Sequence, residues 1–286
     1  GPELIRQCGL RESLTQLDWR VNDIGDLKFE TPKGSDPTLP KALGKARNCY
    51  AVGKSMEILS QATCEAAQSG AFPLTIGGDH SIASGSLSGV LKARPNTKVL
   101  WVDAHADINT PASSPSGNLH GMPISLLTRI VQPNTMPGWE WMEDTPRLDP
   151  QDIVYIGLRD VDAGEVELIR DLGIAAFTMQ HIDRFGIGGV MRRALEIVGK
   201  DCPIHLSLDI DAVDPVEAPS TGTVVRGGLT YREAHYVVEA IDDTGQLASM
   251  DIVEVNPMLS LEGDGALKTA QLAEALIESA MGSRII

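Results

Sequence analysis

Two hydrophobic rhythms alternate along the chain. Short, almost unbroken apolar runs stand at 72–78 (FPLTIGG), 99–104 (VLWVDA), 152–158 (DIVYIGL), 174–177 (IAAF), 204–210 (IHLSLDI) and 247–255 (LASMDIVEV). Between them lie longer stretches with apolar positions three and four apart, which predict helices over 41–69, 81–93, 121–131, 163–172, 188–199, 230–244 and 265–281. Residues 3–17 carry the same helical spacing, and 19–25 (WRVNDIG) read as a further short strand. Pro, Gly and Ser gather at 31–40, 109–118 and 133–150, which read as loops. Strands that are apolar on both faces belong to a sheet covered on both sides. The chain therefore reads as α/β, a three-layer αβα architecture with a central, mainly parallel sheet. With no internal repeat and no linker, residues 1–286 read as one domain.

Three of the apolar runs end in acid or imidazole. They deliver His80, then Asp103, His105 and Asp107, then Asp209 and Asp211. In parallel sheets ligands bind beyond the carboxyl ends of the strands, where all six residues fall. On an extended strand residues two apart point the same way, so Asp103, His105 and Asp107 are expected to converge, as are Asp209 and Asp211. Any one of these residues alone would pass for a turn or a solvated loop. Clustered carboxylates, however, repel and lose hydration unless cations neutralise them. Four carboxylates and two imidazoles without a thiolate suit two oxygen-loving divalent ions, Mn²⁺ above all. Asp103 and Asp211 are the natural bridges, and a metal-activated hydroxide follows as the expected nucleophile.

Charge and cysteine content narrow the setting. A net charge of −15 opposes nucleic acid or an anionic membrane surface as partner. The four cysteines are scattered without C-x-x-C spacing, so neither a zinc ribbon nor a disulfide framework is expected, and a reducing compartment is the default. No run of eighteen apolar residues exists. Cytoplasmic residence is the expectation. A mitochondrial or other organellar location stays open, because the chain opens with Gly1-Pro2 rather than Met.

The segments IGGDHS, WVDAHADIN, SGNLHG, IGLRDVDAGE, SLDIDAVDP, TGTVVRGGLTYRE and DIVEVNP, in this order, resemble the motif set of the arginases within the ureohydrolases, from Gly1 to about Pro257. The resemblance implies hydrolysis of L-arginine to L-ornithine and urea by a hydroxide shared between two Mn²⁺ per subunit. It makes His80, Asp103, Asp107 and Asp211 ligands of the more buried ion, and Asp103, His105, Asp209 and Asp211 ligands of the other. It places Asn109, Ser114 and Ser116 at the substrate α-carboxylate, Ser114 standing where the family usually has Thr, and Asp162 and Glu165 at the α-amino group. Glu254 would hold the guanidinium, Asp107 would pass a proton to the leaving amine, and His120 would shuttle protons at the mouth. Thr223 would support Glu254 or the substrate. His181, His205 and His235 have no motif role and read as structural. A homotrimer is the assembly the family implies.

Two competing readings remain at this point. One is another ureohydrolase acting on agmatine or a guanidino acid, which the carboxylate and amine contacts oppose. The other is a metal-free binding protein, whose mark would be a lost ligand; none is lost. Gly1-Pro2 resembles the end of the Gly-rich segment that follows the family's first strand, so an unpaired sheet edge is expected. Val224 replaces a Pro usual in its loop.

Overall fold

A computed structural model describes residues 1–29, 44–260 and 263–284. The apolar runs become β1 (Leu74–Ile76), β2 (Lys98–Val102), β3 (Ile153–Leu158), β4 (Ala175–Thr178), β5 (Ile204–Asp209) and β6 (Leu247–Val253). They form one sheet in the order β1-β6-β5-β2-β3-β4 with every neighbouring pair parallel. The pleat divides the core in two. Leu100, Val102, Val154, Ile156, Leu206, Leu208, Met250 and Ile252 face one layer, while Val99, Trp101, Ile153 and Tyr155 face the other. The first layer is built from α1 (Pro2–Gln7), α2 (Leu10–Gln16), α7 (Met179–Val198), α8 (Tyr231–Asp242) and α9 (Gly265–Ala280). The second holds α3 (Cys49–Gln68), α4 (Ala83–Ala93), α5 (Pro123–Leu127) and α6 (Ala163–Leu172). This is the three-layer αβα arrangement that continuous apolar strands demand.

Several boundaries differ from the periodicity, each for a local reason. The helix expected over 3–17 breaks at Gly9, whose φ of 103° is left-handed. Residues 19–25 form no strand: Arg6 pairs with Asp23 and Asp26, and the Gly25 N–H bonds the Asp23 carboxylate, so side chains rather than a ladder hold this segment. The loop expected at 31–40, and the start of the helix expected from 41, lie outside the described residues. Among the described ones that helix begins only at Cys49, because the Lys45 and Arg47 N–H groups bond the Pro111 and Gly117 carbonyls. The helix expected over 121–131 shortens to α5, and Arg129 beyond it is left-handed (φ 61°). α7 starts earlier than expected and kinks at Gly186. Within 133–150, Trp139 and Trp141 donate their indole N–H groups to the Cys49 and Gly53 carbonyls of α3.

Close packing of α3 on α4 fixes the turn that carries His80, since α4 begins directly after it. Small residues permit the approach. A Cβ at Gly85 would lie 2.8 Å from the Met56 carbonyl oxygen, and one at Gly89 only 2.0 Å from Thr63 Oγ1. Thr63 Oγ1 in turn donates to the Ser86 carbonyl across the interface (3.1 Å). Gly89→Ala is therefore expected to force the two helices apart at a cost of about 1–3 kcal/mol, the usual range for overpacking. A lowered urea midpoint at an unchanged slope would register it.

Candidate metal centre and substrate pocket

β1, β6, β5, β2 and β3 stand side by side. His80, Glu254, Asp209, Asp103 and Asp162 therefore leave the sheet along one carboxyl edge. β2 and β5 are the neighbours at which the strand order reverses, the position where open α/β sheets bind ligands.

Pleat alternation does not bring the ligands together as expected; turns do. β2 ends at Val102. The Asp103 N–H still bonds the Ile156 carbonyl, but the chain then leaves the sheet: the His105 N–H donates to Asp103 Oδ1 (2.7 Å), and Asp107 adopts a φ of 51°. At the end of β5, Asp209 caps the turn Ile210–Ala212 by accepting the Asp211 N–H (2.8 Å). Glu254, just beyond β6, has a φ of 64°. Left-handed backbone costs an ordinary residue about 1–2 kcal/mol, so the surrounding fold enforces it at both acids.

The result is two overlapping clusters. In each of the sets His80, Asp103, Asp107 and Asp103, His105, Asp211, the candidate ligand atoms lie within 4.8 Å of one another, and Asp103 belongs to both. His80 stacks on Trp101 at 4.1 Å, and its Nε2 meets Ser207 Oγ at 2.8 Å. Its buried Nδ1 makes no well-aligned hydrogen bond, yet lies 2.9 Å from Asp103, 3.0 Å from Asp107 and 3.2 Å from Asp209. One imidazole nitrogen facing three carboxylates is a donor set for a divalent cation. Asp209, not Asp211, stands beside His80; Asp211 Oδ2 lies 3.2 Å from His105 Nδ1. Asp209 thus faces the imidazole to which the resemblance had assigned Asp211 but not Asp209, while Asp211 keeps to His105, one of the two places implied for it.

The electrostatics agree with a site short of positive charge. Burial, then the charge of Asp103, pushes the Asp107 carboxyl up to about 8. Burial, followed by Asp211 and Asp103, holds Asp209 well above the usual carboxylate range, and burial and Asp103 raise Asp211. Burial opposes charge on His105, but Asp103 and Asp211 outweigh it and push the imidazole up to about 12. Asp103 goes the other way: burial would raise it, but His105 and His80 hold it below its ordinary value. The acids outnumber the imidazoles, and divalent ions would restore the balance.

Above the clusters a pocket is lined by Asn109, Ser114, Ser116, His120, Asp162, Glu165, Thr223 and Glu254 together with His80, His105, Asp107 and Asp209. Glu254 Oε1 accepts the His80 N–H (2.9 Å) and lies 3.8 Å from His120 Nδ1. Burial raises Glu254 to about 7, against the His80 bond. Burial also lowers His120. Asn109 Nδ2 donates to Asp162 Oδ2 (2.8 Å), and the Ser114 and Ser116 hydroxyls lie 3.5 Å apart.

Glu165 and Thr223 line the pocket and are also engaged by the protein. Glu165 is buried and uses its oxygens on backbone, accepting the N–H groups of Ile108 (3.0 Å) and Asp162 (3.1 Å). It ties the turn of Asp107 to the start of α6; the D-x-x-E spacing of a capping box is the signal for this. Thr223 donates to Asp211 Oδ2 (2.8 Å), not to Glu254. Sequence reasoning alone misses Arg159. Its guanidinium donates to the Asp211, Ala212 and Val225 carbonyls, clamping the loops of Asp211 and Thr223 together. Only the LRD of its motif hints at it, and nothing local says which carbonyls it meets. Of the three histidines read as structural, His205 is buried against Ser249 and Asp251, His181 contacts the Thr178 hydroxyl before α7, and His235 contacts Ser279.

The Arginase family model matches residues 1–282. The chain is 48% identical over 263 residues to the hepatic arginase of Aquarana catesbeiana, which spans 90% of this chain and 79% of that protein. It is 44% identical over 286 residues to arginase-1 of Homo sapiens, covering 99% and 87%. Among solved structures, arginase from Bacillus caldovelox superposes with a TM-score of 0.90 at 38% identity, covering 100% of this chain and 93% of that one.

Adding a divalent cation to chelated protein is expected to raise its melting temperature, as a ligand of the folded state must. Asp103→Asn, at the residue common to both clusters, should remove most of that rise. His105→Asn should leave a partial one. Equal responses from the two variants would mean that the clusters do not share Asp103.

Proposed function

The chain belongs to the arginase family, and from that premise we infer that its acidic pocket hydrolyses the guanidino group of L-arginine to L-ornithine and urea. It is a hydrolase. The observation that carries the reading is the pair of buried His/Asp clusters meeting at Asp103, beneath a pocket rimmed with carboxylate and hydroxyl groups. The finer reading is two Mn²⁺ per subunit, held by His80, Asp103, His105, Asp107, Asp209 and Asp211. All the donors are nitrogen or oxygen, a set that suits manganese. When bound, the ions supply a nucleophilic oxygen from water near neutral pH.

The rest falls to side chains. Glu254, at the floor of the pocket, holds the planar guanidinium cation by charge-assisted hydrogen bonds. Asn109, Ser114 and Ser116 take the α-carboxylate, and Asp162 the α-amino group. Glu165 serves that amine site by fixing the backbone of Asp162. Water oxygen adds to the guanidinium carbon and the bond from that carbon to arginine Nε, which becomes the δ-amine of ornithine, breaks. Asp107 carries the proton to the leaving amine, and His120, partly open to solvent and beside Glu254 at the mouth, shuttles protons to and from solvent. The same reading makes the enzyme a cytoplasmic homotrimer, which sedimentation and cell fractionation would check.

The deciding experiment is urea release from L-arginine and from agmatine, with Mn²⁺ and with chelator. Mn²⁺-dependent turnover of arginine, and little of agmatine, is the expected result. Turnover of agmatine as fast as arginine would defeat the assignment of Asn109, Ser114, Ser116 and Asp162. Asp107→Asn is expected to keep the fold while kcat drops about 100-fold or more, as loss of a positioned proton carrier does. Wild-type kcat in that variant would remove its proton role.

A further inference from the structure

The residues that read the substrate carboxylate sit on a loop with little structure of its own. Pro115 and Ser116 are exposed, and 110–118 holds no helix or strand. A turn closes its first half from within, the Ser113 and Ser114 N–H groups meeting the Thr110 carbonyl (3.1 and 2.9 Å), and contacts from outside set the rest of its shape. Two backbone bonds do so: the Lys45 N–H donates to the Pro111 carbonyl (2.7 Å), and the Arg47 N–H to the Gly117 carbonyl (2.8 Å). The two acceptors bracket Ser114 and Ser116.

The contact between the two segments is as close as backbone allows. Gly44 has a φ of 97°, and a Cβ there would meet the Pro111 oxygen at 1.9 Å. Gly117 has a φ of 73°, and its Cβ would fall 2.8 Å from Lys45 Cβ. From these anchor points the shape passes inward. The Gly117 N–H donates to Ser114 Oγ (2.9 Å) and the Asn118 N–H to Ser116 Oγ (3.1 Å), which turns both hydroxyls into the pocket rim. The other end of the short segment is fixed too. It runs through left-handed Asn48 into α3, whose Cys49 and Gly53 carbonyls are held by Trp139 and Trp141.

We propose that residues 44–47 are a specificity strap: their backbone holds the 110–118 loop in the one shape in which Ser114 and Ser116 can bind the α-carboxylate. This rests on the carboxylate reading above. The metal ligands lie on other turns, so the strap controls recognition and leaves the chemistry to them. Loosening it should weaken binding of anything that carries the α-carboxylate, and should not affect agmatine, which lacks that group.

The test is Gly44→Ala, read by KM and kcat for L-arginine and agmatine and by calorimetric affinity for L-ornithine. The arginine KM should rise about tenfold with kcat within about twofold, the signature of lost uniform binding. Ornithine affinity should fall in parallel, and the agmatine parameters should stay in place. Gly9→Ala is the control for strain, since its φ of 103° is as left-handed but nothing lies within 4 Å of an added Cβ. If Gly44→Ala does not fold, Gly117→Ala, with its milder clash, carries the same measurements. Ser114→Ala with Ser116→Ala separates the two hypotheses. No rise in the arginine KM there would sink the carboxylate reading itself. A rise there with none in Gly44→Ala would overturn the strap alone. A parallel loss of kcat and of Mn²⁺ affinity in Gly44→Ala would also overturn it, by showing general damage. Lys45→Ala removes an exposed charge and keeps the N–H. A KM increase there as large as that of Gly44→Ala would mean that charge, not backbone, holds the loop.

Discussion

Repulsion among buried carboxylates at one edge of the sheet is the constraint to which the rest of the molecule answers. Asp103, Asp107, Asp209 and Asp211 are all nearly inaccessible to water, and among the described residues two imidazoles are the cationic partners within the clusters. Such a group is costly to assemble without cations, and any looseness would let the acids move apart or take up protons. The chain meets the cost with rigidity. The acids sit on hydrogen-bonded turns, and two large buried aromatic side chains brace them. Trp101 donates to Asp103 Oδ2 and stacks on His80, and Tyr155 donates to the Ala106 carbonyl.

Rigidity at the edge is inherited from packing farther away. His80 keeps its place because α4 seats closely on α3 through Gly85 and Gly89. Asp211 keeps its place because Arg159 gathers the carbonyls of its loop, and Asp107 because Glu165 bonds the next backbone N–H. The recognition loop above the metal centre follows the same logic, with backbone bonds in place of charged groups. Two kinds of support thus serve two tasks. Charge-bearing clamps surround the clustered acids, and neutral carbonyl–amide bonds shape the rim of the pocket.

Much of this is legible one residue at a time. The six strands, their burial on both faces and the helices between them follow from apolar runs and helical spacing, since those patterns report which faces avoid water. The candidate ligands are legible because acids gathered at the ends of apolar strands need a cation to offset their repulsion and lost hydration. What misleads is local extrapolation. Residues 19–25 alternate like a strand but spend their polar groups on Arg6 and an Asx-type bond. Helical spacing sets the start of α3 too early, because no sequence pattern reveals that Lys45 and Arg47 donate to carbonyls far along the chain. Capping-box spacing hints that Glu165 accepts the Asp162 N–H, but gives no sign that it also accepts the Ile108 N–H and so ties two turns together.

By itself, then, the sequence determined the class of fold, the edge at which chemistry happens and the residue types gathered there. Periodicity and composition suffice for these, because they depend on contacts with solvent and with near neighbours. The tertiary structure decided which acid faces which imidazole, as with Asp209 beside His80 and Asp211 beside His105. It decided also that left-handed turns at Asp107 and Glu254, not strand pleat, aim the carboxylates. Those outcomes depend on hydrogen bonds and close approaches between segments far apart in the chain, and no single stretch of residues contains both partners.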